Sequence, residues 1–137
     1  MKRILAYILA LAPLAAGAQQ LNLKAGAWEM THKSAAFPRP VVERECVTMA
    51  DIAQLAGGAD KEDDTECRYV KPPVIVGNKW SGDRVCGEGR KVHAEFVTET
   101  PERVKGTIVS TGPKGGGQTV SIEVDGRWLG TSCAGIN

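Results

Sequence analysis

Residue types that commonly carry catalysis are few in this chain of 137 residues. Its two histidines are His32 and His93, and a nucleophilic triad needs a histidine held between a carboxylate and a Ser or Cys. His93 is predicted to point outward from a strand, with no nucleophile paired to it in sequence. His32 shares a strand face with Trp28 and Met30, which favours a packed core or rim position. We therefore expect no catalytic residues and no enzymatic activity.

Metal and phosphate sites have equally little support in the sequence. It contains no H-x-x-x-H pair, no C-x-x-C pair and no C-x-x-C-H heme motif. The acidic residues 59–66 lack the ligand spacing and the central Gly of a calcium loop, which favours a solvated loop. Residues 112–119 approach the phosphate-binding pattern G-x-x-x-x-G-K-[ST], but Gln118 occupies the Lys position and a strand follows. We expect neither a metal nor a cofactor.

The N-terminus has the features of a secretory signal peptide. Two basic residues precede an apolar run over residues 4–16, and small residues at 16–18 form an A-x-A cleavage site. The run is shorter than the roughly 20 residues of a membrane-spanning helix, which disfavours an anchor. We predict cleavage between Ala18 and Gln19 and a periplasmic or secreted location. The processed chain is predicted to make no stable membrane insertion.

Four cysteines indicate that disulfide bonds constrain the fold. An even number in an exported chain predicts two disulfides. The long intervals between the cysteines disfavour a structural zinc site, which uses close pairs. Three pairings are open. We favour Cys46–Cys67, which would bracket a helix and an acidic loop. The other pair, Cys86–Cys133, would then tie the C-terminal tail to the middle of the sheet.

The net charge and the length of the chain limit its function class and its number of domains. The chain has 17 Lys and Arg against 16 Asp and Glu, and loss of residues 1–18 would remove two basic residues. The remaining domain would have about one net negative charge, without the basic stripe that a nucleic-acid-binding protein needs. Residues 19–137 suffice for one domain that buries roughly two-thirds of its unfolded surface. We therefore predict a single disulfide-stabilised β domain.

Apolar and polar residues alternate over three consecutive segments in the second half of the chain. These segments are residues 90–100, 104–111 and 119–129, and breaks containing Pro or Gly separate them. A period of two with such breaks predicts antiparallel strands with one buried face. We therefore predict an all-β antiparallel meander of about seven or eight strands. Curling into a partial barrel would cover the apolar faces and reduce exposed edges.

Shorter elements are predicted before this meander. The predicted strands are residues 26–33, 41–47, 67–71, 74–76 and 79–86. Thr48 to Asp51 resembles a capping box, and an apolar stripe with helical spacing covers residues 49–56 before two Gly residues. Because so short a helix does not stand alone in water, we expect it to pack on the sheet.

Three tryptophans dominate a domain with few aromatic residues. If Trp28 and Trp128 both face inward, the first and last strands approach each other across a curled sheet. Two interpretations are open. The tryptophans are core residues that supply buried area, or Trp28, Phe96 and Trp128 line an apolar cup at one mouth of the sheet.

Several short motifs follow one another in a fixed order. They are Gly26-Ala27-Trp28-Glu29, Glu45-Cys46-Val47-Thr48, Cys67-Arg68-Tyr69, Val85-Cys86-Gly87, and Arg127-Trp128-Leu129-Gly130 with Cys133. In order and spacing, from about residue 24 to residue 133, the chain resembles an exported bacterial family known as domain of unknown function 3617. The resemblance implies an envelope location and a four-cysteine pattern. It implies no established activity and no site residues.

The sequence favours a non-catalytic binding or accessory module of the bacterial envelope. Its partner would be a small apolar ligand or an envelope protein. The alternatives are an inhibitor of a periplasmic or host hydrolase and, last, a small hydrolase-like enzyme. A ligand cup predicts an apolar pocket, and a protein-binding module predicts an exposed patch or loop, first at residues 112–118. An enzyme predicts a histidine bonded to a carboxylate or thiol in a cleft.

Overall fold

A computed structural model describes residues 20–57, 67–113 and 117–136. The predicted signal peptide, the predicted acidic loop at residues 59–66 and the centre of the loop at residues 112–118 lie outside these ranges. Within the ranges, no helix has the length and apolar character needed to cross a bilayer.

The chain forms eight strands and one helix. They are β1 Gly26–Lys33, β2 Val41–Val47, α1 Met49–Gly57, β3 Cys67–Tyr69, β4 Val74–Val76, β5 Lys79–Cys86, β6 Lys91–Thr100, β7 Arg103–Thr111 and β8 Thr119–Gly130. One antiparallel sheet has the order β2-β1-β8-β7-β6-β5-β3, and β4 pairs with the other half of β5. The sheet curls into a half-barrel, which confirms the predicted all-β meander with one short helix.

The first strand pairs with the last, which joins the two ends of the described chain. Trp28 on β1 lies opposite Trp128 on β8, and Glu29 lies opposite Arg127. Arg127 Nη2 donates a hydrogen bond to Glu29 Oε1 at 2.7 Å. Arg44 on β2 donates to the other carboxylate oxygen at 3.3 Å. These contacts, above all the bond from Arg127, hold the pKa of Glu29 below its ordinary value.

The alternating side chains give the sheet two faces. We call the face that carries Trp28, Trp80, Phe96 and Val104 the inner face, and the opposite face the outer face. Helix α1 packs against the inner face, where its Ile52 is 1% exposed. Met49, at the start of the apolar stripe, is 59% exposed. The tertiary contacts that so short a helix needs therefore come from Ile52 and from the bond that Trp80 Nε1 donates to the Leu55 carbonyl.

A capping box begins α1, as the sequence predicts. Thr48 Oγ1 accepts a hydrogen bond from the backbone N–H of Asp51 at 3.1 Å. Asp51 Oδ2 accepts one in return from the backbone N–H of Thr48 at 2.9 Å. Two donors at the N-terminus of the helix are thereby satisfied, which fixes where α1 starts.

Glycines on the inner face make room for large side chains from neighbouring strands. A Cβ atom on Gly106 would lie 2.2 Å from Cδ1 of Phe96. A Cβ atom on Gly126 would lie 2.6 Å from Val104 Cγ1 and 2.7 Å from Met30 Sδ. A larger residue at either position would displace these neighbours, so the two glycines determine how Phe96 and Met30 pack.

The prediction of two disulfides is confirmed, but the favoured pairing is wrong. The bonds join Cys46 to Cys133 and Cys67 to Cys86. Antiparallel pairing of β3 with β5 puts Cys67 directly opposite Cys86. Cys46 lies beside the start of β1, and β1 lies beside the end of β8, so the tail after β8 brings Cys133 within reach of Cys46. Strand order therefore determines the pairing, and the helix and loop between Cys46 and Cys67 do not.

Candidate functional site

A cavity of about 220 Å³ lies between α1 and the inner face of the sheet. Its lining residues within the described ranges are Leu21, Leu23, Trp28, Met30, Glu45, Val47, Leu55, Trp80, Phe96 and Val104. All of these are apolar except Glu45. Since liquid water occupies about 30 Å³ per molecule, the space corresponds to about seven waters. It therefore suits a ligand of similar size, with about seven non-hydrogen atoms.

Three strands bring the aromatic walls of the cavity together. Trp80 on β5 lies directly opposite Phe96 on β6. Their ring centroids are 5.7 Å apart with the ring planes tilted by 42°. Such a tilted pair is a favourable arrangement for two aromatic quadrupoles. Trp28 on β1 contributes the third ring and is only 2% exposed.

The segment before β1 contributes another wall. Leu21 is 5% exposed, and both Leu21 and Leu23 line the cavity. The backbone N–H of Lys24 donates to the carbonyl of Pro101 in the turn between β6 and β7 at 3.0 Å. Trp28 Nε1 donates to the carbonyl of Lys24 at 2.9 Å. These bonds hold the leucines against the inner face.

The polar groups of the cavity are almost all satisfied by the protein itself. Trp28 Nε1 is bonded to Lys24, and Trp80 Nε1 donates to the carbonyl of Leu55 in α1 at 2.9 Å. The two indoles therefore offer ring carbon to a ligand. Glu45 is exposed on β2, opposite Trp28, and supplies the one charged group of the lining that the structure describes.

The three residues predicted to line a cup occupy different places. Trp28 and Phe96 line the cavity. Trp128 lies beside Trp28 across the β1–β8 pairing but is not one of the lining residues. Its Nε1 donates to the carbonyl of Ala25 at 3.1 Å, and Lys24 Nζ lies 4.5 Å from its ring centroid. Trp128 thus holds residues 24 and 25 of the N-terminal segment against β8. That the cavity holds a ligand stays a prediction.

Sequence reasoning missed several of the cavity walls. Trp80 shares the parity of the inner face, but the uneven pattern of residues 79–86 gave it no clear orientation. Leu55 belongs to the predicted apolar stripe of the helix, but the stripe does not indicate which residue of the sheet Leu55 contacts. Leu21 and Leu23 alternate with polar residues before the first strand, but their segment forms no strand, so the alternation alone does not place them against the sheet.

The histidines lie away from any thiol nucleophile. His93 is on the outer face, as the alternation predicts, with Nδ1 at 2.7 Å from Asp83 Oδ1 and Nε2 at 3.5 Å from Glu95 Oε1. His32 Nδ1 is 3.9 Å from a carboxylate oxygen of Glu43.

All four cysteines are in disulfides, so Cys86 has no free thiol. Among the described residues, no cluster of His, Cys, Asp and Glu is suited to hold a metal.

Asp83 sets the protonation of His93. The hydrogen bond from His93 to Asp83 raises the pKa of the imidazole above its ordinary value, while partial burial opposes this effect. Glu95 also attracts the protonated ring, although its carboxylate is shared with Lys79 Nζ at 3.0 Å. The hydrogen bond from Lys79 is the main reason that the pKa of Glu95 lies below its ordinary value.

We expect Asp83→Asn to lower the pKa of His93. Because the folded pKa is raised, the protonated ring stabilises the fold below the ordinary histidine pKa of about 6.5. That contribution is lost as the pH rises through the folded pKa, so Asp83→Asn should destabilise the protein more at pH 5.5 than at pH 8. A pH titration of the His93 ring protons by NMR measures the shift. Asp125→Asn, on the same face but remote from His93, is the control and should leave the titration unchanged.

Comparison with known protein families adds the last observation on this site. The model of the family described as "Protein of unknown function (DUF3617)" matches residues 23–133. The chain belongs to the DUF3617 family. The match spans all eight strands, α1 and the four cysteines, together with every cavity-lining residue except Leu21. No curated protein and no solved structure matches this DUF3617 chain.

Proposed function

We propose that this DUF3617 protein is an exported, non-catalytic binding domain that holds one small apolar ligand between α1 and the inner face. The observation that carries the proposal is the cavity of about 220 Å³, whose lining in the described part of the chain is apolar apart from Glu45. Concave sites with apolar walls and a few polar groups are the usual form of small-molecule sites. The fold alone would not distinguish this role from others.

The size of the cavity limits the affinity. Each buried CH₂ group contributes about 0.8 kcal/mol, so a six-carbon chain gains up to about 5 kcal/mol. Loss of translational and rotational freedom reduces this gain. A dissociation constant of 1 mM corresponds to about 4 kcal/mol. We therefore expect neutral six-carbon ligands to bind with dissociation constants near the millimolar range.

Two further features support an exported protein without catalytic activity. Disulfides persist in oxidising compartments, and this domain has two of them. His93 lies between two carboxylates and contacts no thiol, because both disulfides leave no free cysteine. Among the lining residues that the structure describes, Glu45 is the one charged group, and no histidine or second carboxylate accompanies it.

Titration with hexan-1-ol, which has seven non-hydrogen atoms, tests the proposal. The indole N–H signals of the three tryptophans in an NMR spectrum provide the readout. Trp28 and Trp80 line the cavity and Trp128 does not. We expect saturable shifts of the first two signals at millimolar alcohol and a much smaller shift of the third. Equal, unsaturable shifts of all three would contradict a cavity site.

A pair of variants on one strand separates the cavity from the rest of the surface. Val47→Phe adds a ring at a lining position on the inner face of β2 and should abolish hexan-1-ol binding. Val42→Phe makes the same change on the outer face of β2, where Val42 is 57% exposed. It should leave binding unchanged. Retained binding in Val47→Phe would reject the cavity as the site.

The edge strand β2 favours protein binding as a second candidate function. Six of its seven residues are exposed, including Val41 at 40% and Val42 at 57%. In the described part of the sheet, β2 pairs with β1 and with no other strand. An open edge can accept a strand from another protein. Native mass spectrometry of protein purified from the periplasm separates the two functions, because a co-purifying chain favours the edge and a small added mass favours the cavity.

A further inference from the structure

We infer that the cavity is selective for a small organic cation, an alkylammonium ion whose carbon chain lies among the apolar walls and whose nitrogen lies at Glu45. This inference rests on the proposed function and adds the charge of the ligand to it. The observations behind it are three aromatic rings, a carboxylate that has no partner among the described residues, and a described lining without basic residues.

The Glu45 carboxylate is available to a ligand. Glu45 is exposed, so its position on β2 marks the open side of the cavity. In the described ranges its side chain forms no hydrogen bond or ion pair with another residue. An ionised carboxylate accepts hydrogen bonds and donates none. It therefore favours a ligand group that donates hydrogen bonds and has a positive charge, as an ammonium ion does.

The aromatic walls favour the same charge. Trp28, Trp80 and Phe96 line the cavity, and the two indole N–H groups are already bonded to backbone carbonyls. What remains for a ligand is the ring surface, whose π faces are partially negative. Such faces attract ammonium ions, tryptophan most strongly. The same faces repel the charged group of an anionic ligand.

The described lining has no positive charge that could bind an anion. None of the lining residues within the described ranges is Lys, Arg or His. Lys24, in the same segment as the lining residues Leu21 and Leu23, has its Nζ paired with Glu102 and placed over the Trp128 ring. Glu43, two residues before Glu45 on β2, also lies on the inner face and provides a second carboxylate. The charges around the open side of the cavity therefore oppose a carboxylate-bearing ligand.

Three ligands with the same six-carbon chain test the inference on the oxidised full-chain protein. They are hexylammonium, hexan-1-ol and hexanoate at pH 7, where an alkylammonium is protonated like a Lys side chain. From the Trp28 and Trp80 indole shifts, we expect hexylammonium to bind about tenfold more tightly than the alcohol, and hexanoate more weakly than the alcohol. Raising the ionic strength to about 1 M should remove much of the preference, since the carboxylate is exposed.

Removal of one charge identifies the residue responsible. Glu45→Gln should bring the affinity for hexylammonium down to about that for hexan-1-ol in the same variant. Glu123→Gln removes the same charge from an exposed position on the outer face and should change neither affinity. The two variants have equal net charge, so a difference between them reports the position of the carboxylate.

The outcomes separate the inference from the proposed function. Equal binding of all three ligands, or tightest binding of hexanoate, would overturn the cation inference and leave an apolar cavity site in place. A preference for hexylammonium that survives in Glu45→Gln would also overturn it. If none of the three ligands shifts the Trp28 and Trp80 signals, the proposed function fails and the inference fails with it.

Discussion

Replacement of both Cys46 and Cys133 by Ala is expected to lower the free energy of unfolding by about 4.5 kcal/mol. These cysteines are 87 residues apart in sequence, whereas Cys67 and Cys86 are 19 apart. In the chain-entropy account, a disulfide restricts the unfolded chain more when it closes a longer loop. The matching pair of Ala substitutions at Cys67 and Cys86 should therefore cost less, about 3 kcal/mol.

The position of Cys46 predicts which strand becomes less stable when Cys46 and Cys133 are replaced by Ala. Strand β2 is the edge strand, and six of its seven residues are exposed, so few apolar contacts hold it to the sheet. Without the bond from Cys46 to the C-terminal tail, we expect amide hydrogen exchange to accelerate in β2 more than in β6 or β7.

Urea unfolding of the two Ala pairs, each with the other disulfide intact, measures both losses. Thiol titration checks that the remaining disulfide is formed. A loss that is equal in the two variants, or larger for the Cys67–Cys86 pair, would show that loop length does not govern the contribution of these bonds. Unchanged exchange in β2 would contradict the role assigned to Cys46.

Trp28→Ala is expected to cost about 3–5 kcal/mol, the largest effect of a single substitution. The Trp28 side chain is almost wholly buried between the sheet and the N-terminal segment, at 2% exposed. Its removal deletes a large apolar contact, leaves the carbonyl of Lys24 without its indole partner and enlarges the cavity. Because a domain of this size has a total stability of about 5–15 kcal/mol, the variant would be near the limit of folding.

Two further variants make this prediction testable even if Trp28→Ala does not fold. Trp28→Phe keeps a ring but loses the hydrogen bond to Lys24, and it should cost less than Trp28→Ala. Trp128→Ala removes a tryptophan that is only half-buried on the adjacent strand, and it should also cost less. Urea denaturation followed by circular dichroism compares the three. A greater loss for Trp128→Ala than for both Trp28 variants would reverse the assigned order of burial.

The sequence by itself determined the elements of this protein. Alternation with period two is a local property, so it predicts the strands of the meander and the outer-face position of His93 without knowledge of the fold. The capping box at Thr48 and Asp51 is equally local, because its bonds join residues three apart. The number of disulfides follows from an even cysteine count. The family resemblance also follows from short motifs in order.

Only the tertiary structure decided which elements meet. The pairing of β1 with β8 brings Cys133 close to Cys46. No local sequence pattern predicts that β1 and β8 are neighbours. The cavity depends on register, which puts Trp80 opposite Phe96. At the start of β1, a register shift pairs Ala27 with Gly130 but Trp28 with Trp128. Such an irregularity redirects side chains. The cavity is therefore a property of strand order and register, since its walls come from segments that are distant in sequence.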